Sequence, residues 1–188
     1  MEIKKFIATS IRKYLNVEIG GKIKTGVDFV YQQHPELTNI GTPEQYSQYL
    51  DTIFPNSKVK DIVYHGAMEN LLPKDNKFKG YVTYFTDFKK YAETFGFPVN
   101  RKIVSTVINV QNPFNSQSEL ADVPLEVHVT DKFTNPRIIK SNASGYDSVI
   151  GIDAGQKEGI TIAIFEPEQI HVLGSKQDIE GFKNFVKK

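Results

Sequence analysis

After residue 58 the hydrophobic period of the chain changes from helical to alternating, and that switch limits the fold more than any other feature. Before it, Ile3, Phe6, Ile7, Ile11, Tyr14 and Leu15 recur at helical spacing, which predicts an amphipathic helix over residues 1–15. A Gly-rich stretch, Asn16 to Gly26, reads as a connection. A short helix broken near Pro35 is expected over 28–40. Gly41-Thr42-Pro43-Glu44-Gln45 then carries an N-cap, a first-turn proline and a capping-box glutamine. With Tyr46, Tyr49, Leu50 and Ile53 on one stripe, this predicts a helix from about 43 to 53, ended before Pro55.

After the switch, short runs rich in β-branched and aromatic residues read as strands. They are Val59–Tyr64, Tyr81–Phe85, Ile103–Val110, Leu125–Val129, Ser148–Ile152, Ile160–Phe165 and Ile170–Leu173. Asp87–Phe95 between them reads as helical, with Thr86 or Asp87 as cap. Ser175-Lys176-Gln177-Asp178, close to a capping box, opens a final amphipathic helix through Ile179, Phe182 and Phe185. Residues 111–124 and 131–146 read as long loops, a length that is often functional in a compact domain. Helices first and strands after give an α+β protein with mainly antiparallel sheet rather than alternating βαβ units. The 188 residues suffice for one domain with its own core. We divide them into residues 1–26, an N-terminal helix and connection, and a domain over residues 27–188.

Composition removes several function classes. Lys+Arg of 23 against Asp+Glu of 22 gives a net charge of +1, so no long-range field draws the chain to nucleic acid or anionic lipid. With no cysteine there is no disulfide, thiolate metal site or cysteine nucleophile. No apolar run of about 18 residues predicts a membrane span. The N-terminus lacks the apolar core and small-residue cleavage site of a secretory signal. The expected location is therefore the cytoplasm, or a particle assembled there. His34, His65, His128 and His171 are too far apart in sequence to form a metal motif. Phosphate-binding glycine loops and hydrolase elbows are absent as well. The stripe over 1–15 is read first as packing on the domain, with a docking helix for a partner or a membrane-surface helix as alternatives.

Three segments carry the chemistry. Val63-Tyr64-His65-Gly66-Ala67 brings a histidine and a glycine to the end of an apolar run. Gly80-Tyr81-Val82-Thr83-Tyr84-Phe85-Thr86-Asp87 is a strand feeding a helix. Ile162-Ala163-Ile164-Phe165-Glu166-Pro167-Glu168-Gln169-Ile170 is a strand that turns at a proline. Singly, each fits a structural histidine, a core tyrosine and a solvated turn. In this order they resemble the ADP-ribosyltransferases of the diphtheria-toxin and poly(ADP-ribose) polymerase branch, marked by histidine, tyrosine and glutamate on three strands. The resemblance covers roughly residues 58–174 and looks closest to small members encoded by bacteriophages and mobile elements.

That resemblance implies two packed, mainly antiparallel sheets with peripheral helices and NAD, as substrate, in the cleft between them. It implies a glycosyl transfer: ADP-ribose passes to a macromolecular acceptor, a protein rather than nucleic acid, and nicotinamide leaves. His65 matches the histidine that binds the ribose next to adenine. Gly66 matches the glycine whose backbone holds the nicotinamide carboxamide, and Ala67 stands where serine or threonine is commoner. Tyr84 matches the tyrosine that stacks on nicotinamide; Phe95, or Tyr91 one turn earlier, is the second aromatic wall. At the position of the family glutamate this chain has Thr161.

The carboxylate that favours the oxocarbenium-like state is then Glu158 reaching in from the preceding loop, or it is absent and Thr161 marks a glutamate-independent enzyme. Two further alternatives are a fold kept with weak or no catalysis, as an NAD-binding or virion-associated module, and Glu166 or Glu168 as the catalytic group, although a solvated turn is the better reading of those two. Such a group is typically worth about 10²–10³ in rate. Glu166 and Glu168 lie at the far end of the strand, about 15 Å or more from residue 161 at ~3.3 Å per residue. The same fold supports transfer of an RNA 2′-phosphate to NAD, but that site is basic and this chain is nearly neutral. Asn135-Pro136-Arg137 and Lys140 are read as a solvated loop face, with contact to an acidic acceptor as the alternative.

Overall fold

The computed structural model of the chain describes residues 23–68, 78, 82–95, 101–115, 145–152 and 158–187. The helix expected over 1–15, the strand over 125–129 and the loop residues 135–140 lie outside these. Among the described residues four helices and seven strands make an α+β fold, in the order α1 (Val27–Gln33), α2 (Pro43–Ile53), β1 (Val63–Met68), β2 (Thr83–Thr86), α3 (Lys89–Ala92), β3 (Arg101–Ile108), β4 (Pro113–Asn115), β5 (Ser148–Gly151), β6 (Thr161–Ile164), β7 (Ile170–Val172) and α4 (Lys176–Val186). Two short 3₁₀ turns, Pro35–Asn39 and Pro167–Gln169, complete the set.

Local chemistry sets the helices. The break at Pro35 falls between α1 and the first 3₁₀ turn. At α2 the Thr42 hydroxyl accepts the Gln45 N–H, and Gln45 Oε1 accepts the Thr42 N–H at 2.9 Å, which closes the capping box. At α4 the Ser175 hydroxyl accepts the Asp178 N–H at 3.2 Å. The Asp178 carboxylate does not complete a capping box. It is fully buried and accepts from the Tyr46 hydroxyl (2.5 Å), the Gly174 N–H (2.8 Å) and His171 Nε2 (2.9 Å). That cluster ties α2, β7 and α4 together. Burial, then the Asp178 charge, drives the Tyr46 hydroxyl far above the usual tyrosine range, so it stays a donor. Phe182 of α4 inserts between Tyr46 and Tyr49, with ring centroids 4.9 and 5.7 Å away. Burying one such aromatic is worth about 2–3 kcal/mol.

The strands form one sheet in the order β4-β5-β6-β2-β1-β3-β7, antiparallel except for the parallel β4–β5 pair. Its residues alternate as period two demands. Val63, Phe85, Ile108, Ile150, Ile162 and Ile164 share one core with Val59 and Phe78. On the opposite face Tyr64 and Val107 pack under the helices with Val30, Leu50 and Phe182, while Val149, Ala163 and Phe165 form a separate patch. β1 pairs with β3 at six positions and β2 with β6 at four, but β1 and β2 meet only at Tyr64–Thr86. Where two packed sheets are expected, the ladder is a single sheet that parts between β1 and β2 beyond one rung.

Several element boundaries differ from the sequence reading. The strand expected over 59–64 begins at Val63 and runs through His65, Gly66 and Ala67 to Met68. Residues 57–59 are instead held at the end of β3: the Ser57 hydroxyl donates to the Ile108 carbonyl (2.7 Å) and accepts the Val110 N–H (3.0 Å). The helix expected over 87–95 shrinks to the single turn α3: the Thr86 hydroxyl accepts the Phe88 N–H (3.1 Å) before its start, and past its end the Thr94 and Phe95 N–H groups bond three residues back, to the Tyr91 and Ala92 carbonyls. Residues 113–115, read as loop, form β4. The Asp147 carboxylate accepts the N–H groups of Gln111 (2.6 Å) and Asn112 (3.0 Å) and lays that segment beside β5.

Candidate functional site

The gap between β1 and β2 opens into a cavity of about 420 Å³ lined by both strands, α3 and the start of β6. Cross-strand partners share a face, so Tyr64, Thr86 and Thr161 line up across β1, β2 and β6, with Tyr84 two residues along β2. His65 and Phe85 belong to the other face by alternation. Both nevertheless line the cavity, because no rung closes the sheet between them.

Six residues singled out from the sequence meet here: His65, Gly66, Tyr84, Tyr91, Phe95 and Thr161. Tyr84 and Phe95 are 41% and 44% exposed, two of the three exposed large hydrophobic residues among those described. Large aromatic faces turned toward a cavity rather than into the core are suited to a flat ligand. Tyr91 stands edge-on to Phe95, with centroids 5.1 Å apart, so both expected candidates for the second wall belong to one aromatic corner.

His65 Nδ1 lies 2.8 Å from the Tyr84 carbonyl oxygen. A carbonyl only accepts, so the proton is on Nδ1 and Nε2 is left as an acceptor. Burial holds the His65 ring below the usual histidine range, although the bond to the Tyr84 carbonyl acts the other way. The imidazole is neutral at pH 7, wedged against Phe78 and Phe85 at 5.1 and 5.7 Å between centroids. It suits a hydroxyl donor such as a ribose better than an anion. The Tyr64 hydroxyl is pushed up to about 12, by burial first and then by the carboxylates of Asp61 and Asp87.

Gly66 is pressed against α3. A Cβ there would lie 2.8 Å from the Ala92 carbonyl carbon and closer still to its oxygen. Only glycine allows α3 to seat so near β1, which gives this glycine a packing role beside the ligand role the resemblance implies.

Ala67 is on β1 but does not line the cavity, and neither does Glu158. Glu158 is exposed, just before the start of β6. Glu166 caps the 3₁₀ turn beyond the opposite end of that strand, and Glu168 is exposed within the turn. Thr161, 8% exposed and first in β6, is thus the candidate for the family-glutamate position that reaches the cavity. Thr86 and Phe85 are lining residues the sequence reading did not single out. Thr86 could have been found from its spacing, two residues after Tyr84 and so on the same side of a strand.

Among the described residues no group of three or more histidine, aspartate and glutamate side chains could hold a metal ion. No helix among them is long and apolar enough to cross a membrane. Fold and site together define an α+β protein whose parted sheet holds an aromatic, nearly uncharged cavity. Compared with known proteins, the chain matches no family model, no curated protein and no solved structure.

Proposed function

We propose that the cavity binds NAD by its nicotinamide end and that the chain transfers ADP-ribose from NAD to a macromolecular acceptor, releasing nicotinamide. The observation that carries this reading is the aromatic corner of Tyr84, Tyr91 and Phe95 across the gap from a neutral His65. Nicotinamide in NAD is a flat cation, and exposed aromatic faces attract such rings by about 0.5–2 kcal/mol. The cavity volume falls within the ~300–1,000 Å³ of small-molecule sites. The sheet that parts after one rung supports this reading, because it leaves between β1 and β2 the opening in which such a ligand would lie.

A second reading, NAD binding with little or no turnover, is favoured by one observation. The lining contains Thr161 and Thr86 but no carboxylate among the described residues. Titration with NAD followed by mass detection of free nicotinamide separates the two. Saturable binding with nicotinamide release supports transfer, and binding without release supports the second reading. No binding at all refutes both. Thr161→Glu places a carboxylate on the cavity wall, and it is expected to raise nicotinamide release at least about tenfold in a protein limited by that missing charge.

A further inference from the structure

The ladder between β2 and β6 ends at the rung Thr86–Thr161. At the next position the Ile160 N–H donates to Asp87 Oδ1 at 2.6 Å, so a side-chain carboxylate takes the place of a backbone carbonyl. This is a short, charge-assisted bond. Gly159 packs closely against the same group. Its φ is +80°, and a Cβ there would lie 2.6 Å from Phe88 Cβ and closer still to Asp87 Oδ1. A hydrogen bond and a glycine-only contact thus converge on one carboxylate. What they hold is the entry to β6, whose first residue, Thr161, lines the cavity.

We propose that Asp87 is a positioning residue of the nucleotide site: by fixing residues 159–160 it turns Thr161 toward the sugar attached to the ring held by Tyr84, Tyr91 and Phe95. This rests on the NAD reading. The aromatic corner stands on β2, on α3 and just beyond α3, whereas Thr161 stands on β6. Breaking the latch therefore damages the sugar contact and spares the ring contact. Free nicotinamide, which has a ring and no sugar, reports on the aromatic corner alone.

The test is titration of the full chain with NAD and, separately, with nicotinamide, for the parent, Asp87→Ala, Gly159→Ala and Asp87→Asn. Asp87→Ala is expected to weaken NAD about tenfold or more and nicotinamide less than about threefold. Gly159→Ala keeps the carboxylate but forces the same contact apart, and is expected to show the same split. Asp87→Asn retains an acceptor oxygen for the Ile160 N–H and is expected to recover NAD affinity to within about threefold of the parent. Where Asp87→Ala does not fold, Gly159→Ala and Asp87→Asn decide by the same ratio. Equal weakening of both ligands, unchanged NAD affinity, or an Asn variant as damaged as the Ala variant overturns the latch while the NAD reading stands. A parent chain that binds neither ligand overturns that reading and the latch with it.

Discussion

Replacing Gly66 by alanine probes the closest approach in the site. The added Cβ would stand 2.8 Å from the Ala92 carbonyl carbon, with the oxygen nearer still. Carbon atoms in contact prefer about 3.5–4.0 Å, so α3 must retreat from β1 by about 1 Å. Overpacking of this kind typically costs 1–3 kcal/mol. In a chain of 188 residues that lowers the melting temperature by about 2–12 °C. The retreat also carries Tyr91, on α3, and Phe95, just beyond it, away from Tyr84. NAD affinity is expected to fall at least about tenfold, equivalent to ~1.4 kcal/mol. Calorimetric melting measures the first effect and NAD titration the second. Hydrogen exchange at the amides of Ala92 and Phe95 reports the displacement itself, because both bond to carbonyls of that turn. A Gly66→Ala protein that melts and exchanges like its parent refutes the reasoning, since no seat would then have been disturbed.

Tyr84→Ala is expected to lower the melting temperature by only a few degrees, as truncating a side chain that is 41% exposed costs about 1 kcal/mol. On the proposed NAD reading it abolishes stabilisation by NAD, and a low melt with normal NAD stabilisation would count against the stacking role. His65 is held below its ordinary range, so the unfolded chain binds its proton first as pH falls. The stability it supports is complete above about pH 6.5 and is lost progressively below that. Melting curves from pH 7.5 to 5.5 should therefore fall more steeply for the parent than for His65→Gln, and parallel slopes would refute the shift. Asp178→Ala leaves the Tyr46 hydroxyl, the Gly174 N–H and His171 Nε2 without their acceptor. It is expected to cost about 3–5 kcal/mol in urea unfolding, and an unchanged midpoint would show that these groups repartner.

The legible parts of the site were those whose signal is short in sequence. Tyr84, Tyr91 and Phe95 are picked out by the family resemblance carried by the segment from Gly80 to Asp87, and they do line one cavity. Glu158 shows the limit of such reasoning. Proximity to Thr161 along the chain places it near the site, yet it is exposed and outside the lining. Asp87 shows the converse. Its partner at Ile160 is 73 residues away, so no local pattern reveals that its carboxylate extends the β2–β6 ladder.

Local interactions determined α2, whose capping box, first-turn proline and apolar stripe all lie within the segment they shape. They determined the class of the fold as well, since helical and alternating periods are properties of neighbours along the chain. The gap between β1 and β2 was decided by tertiary structure alone. His65, Gly66 and Ala67 lie within a continuous strand, and their alternation would suit a closed sheet equally well. The cavity exists because α3 seats against Gly66 and β2 pairs along its length with β6, leaving one rung to join it to β1. Asp178 follows the same rule: its sequence neighbours suggest a helix cap, but a fully buried carboxylate must find donors wherever the fold supplies them, and here one of them is Tyr46, 132 residues away.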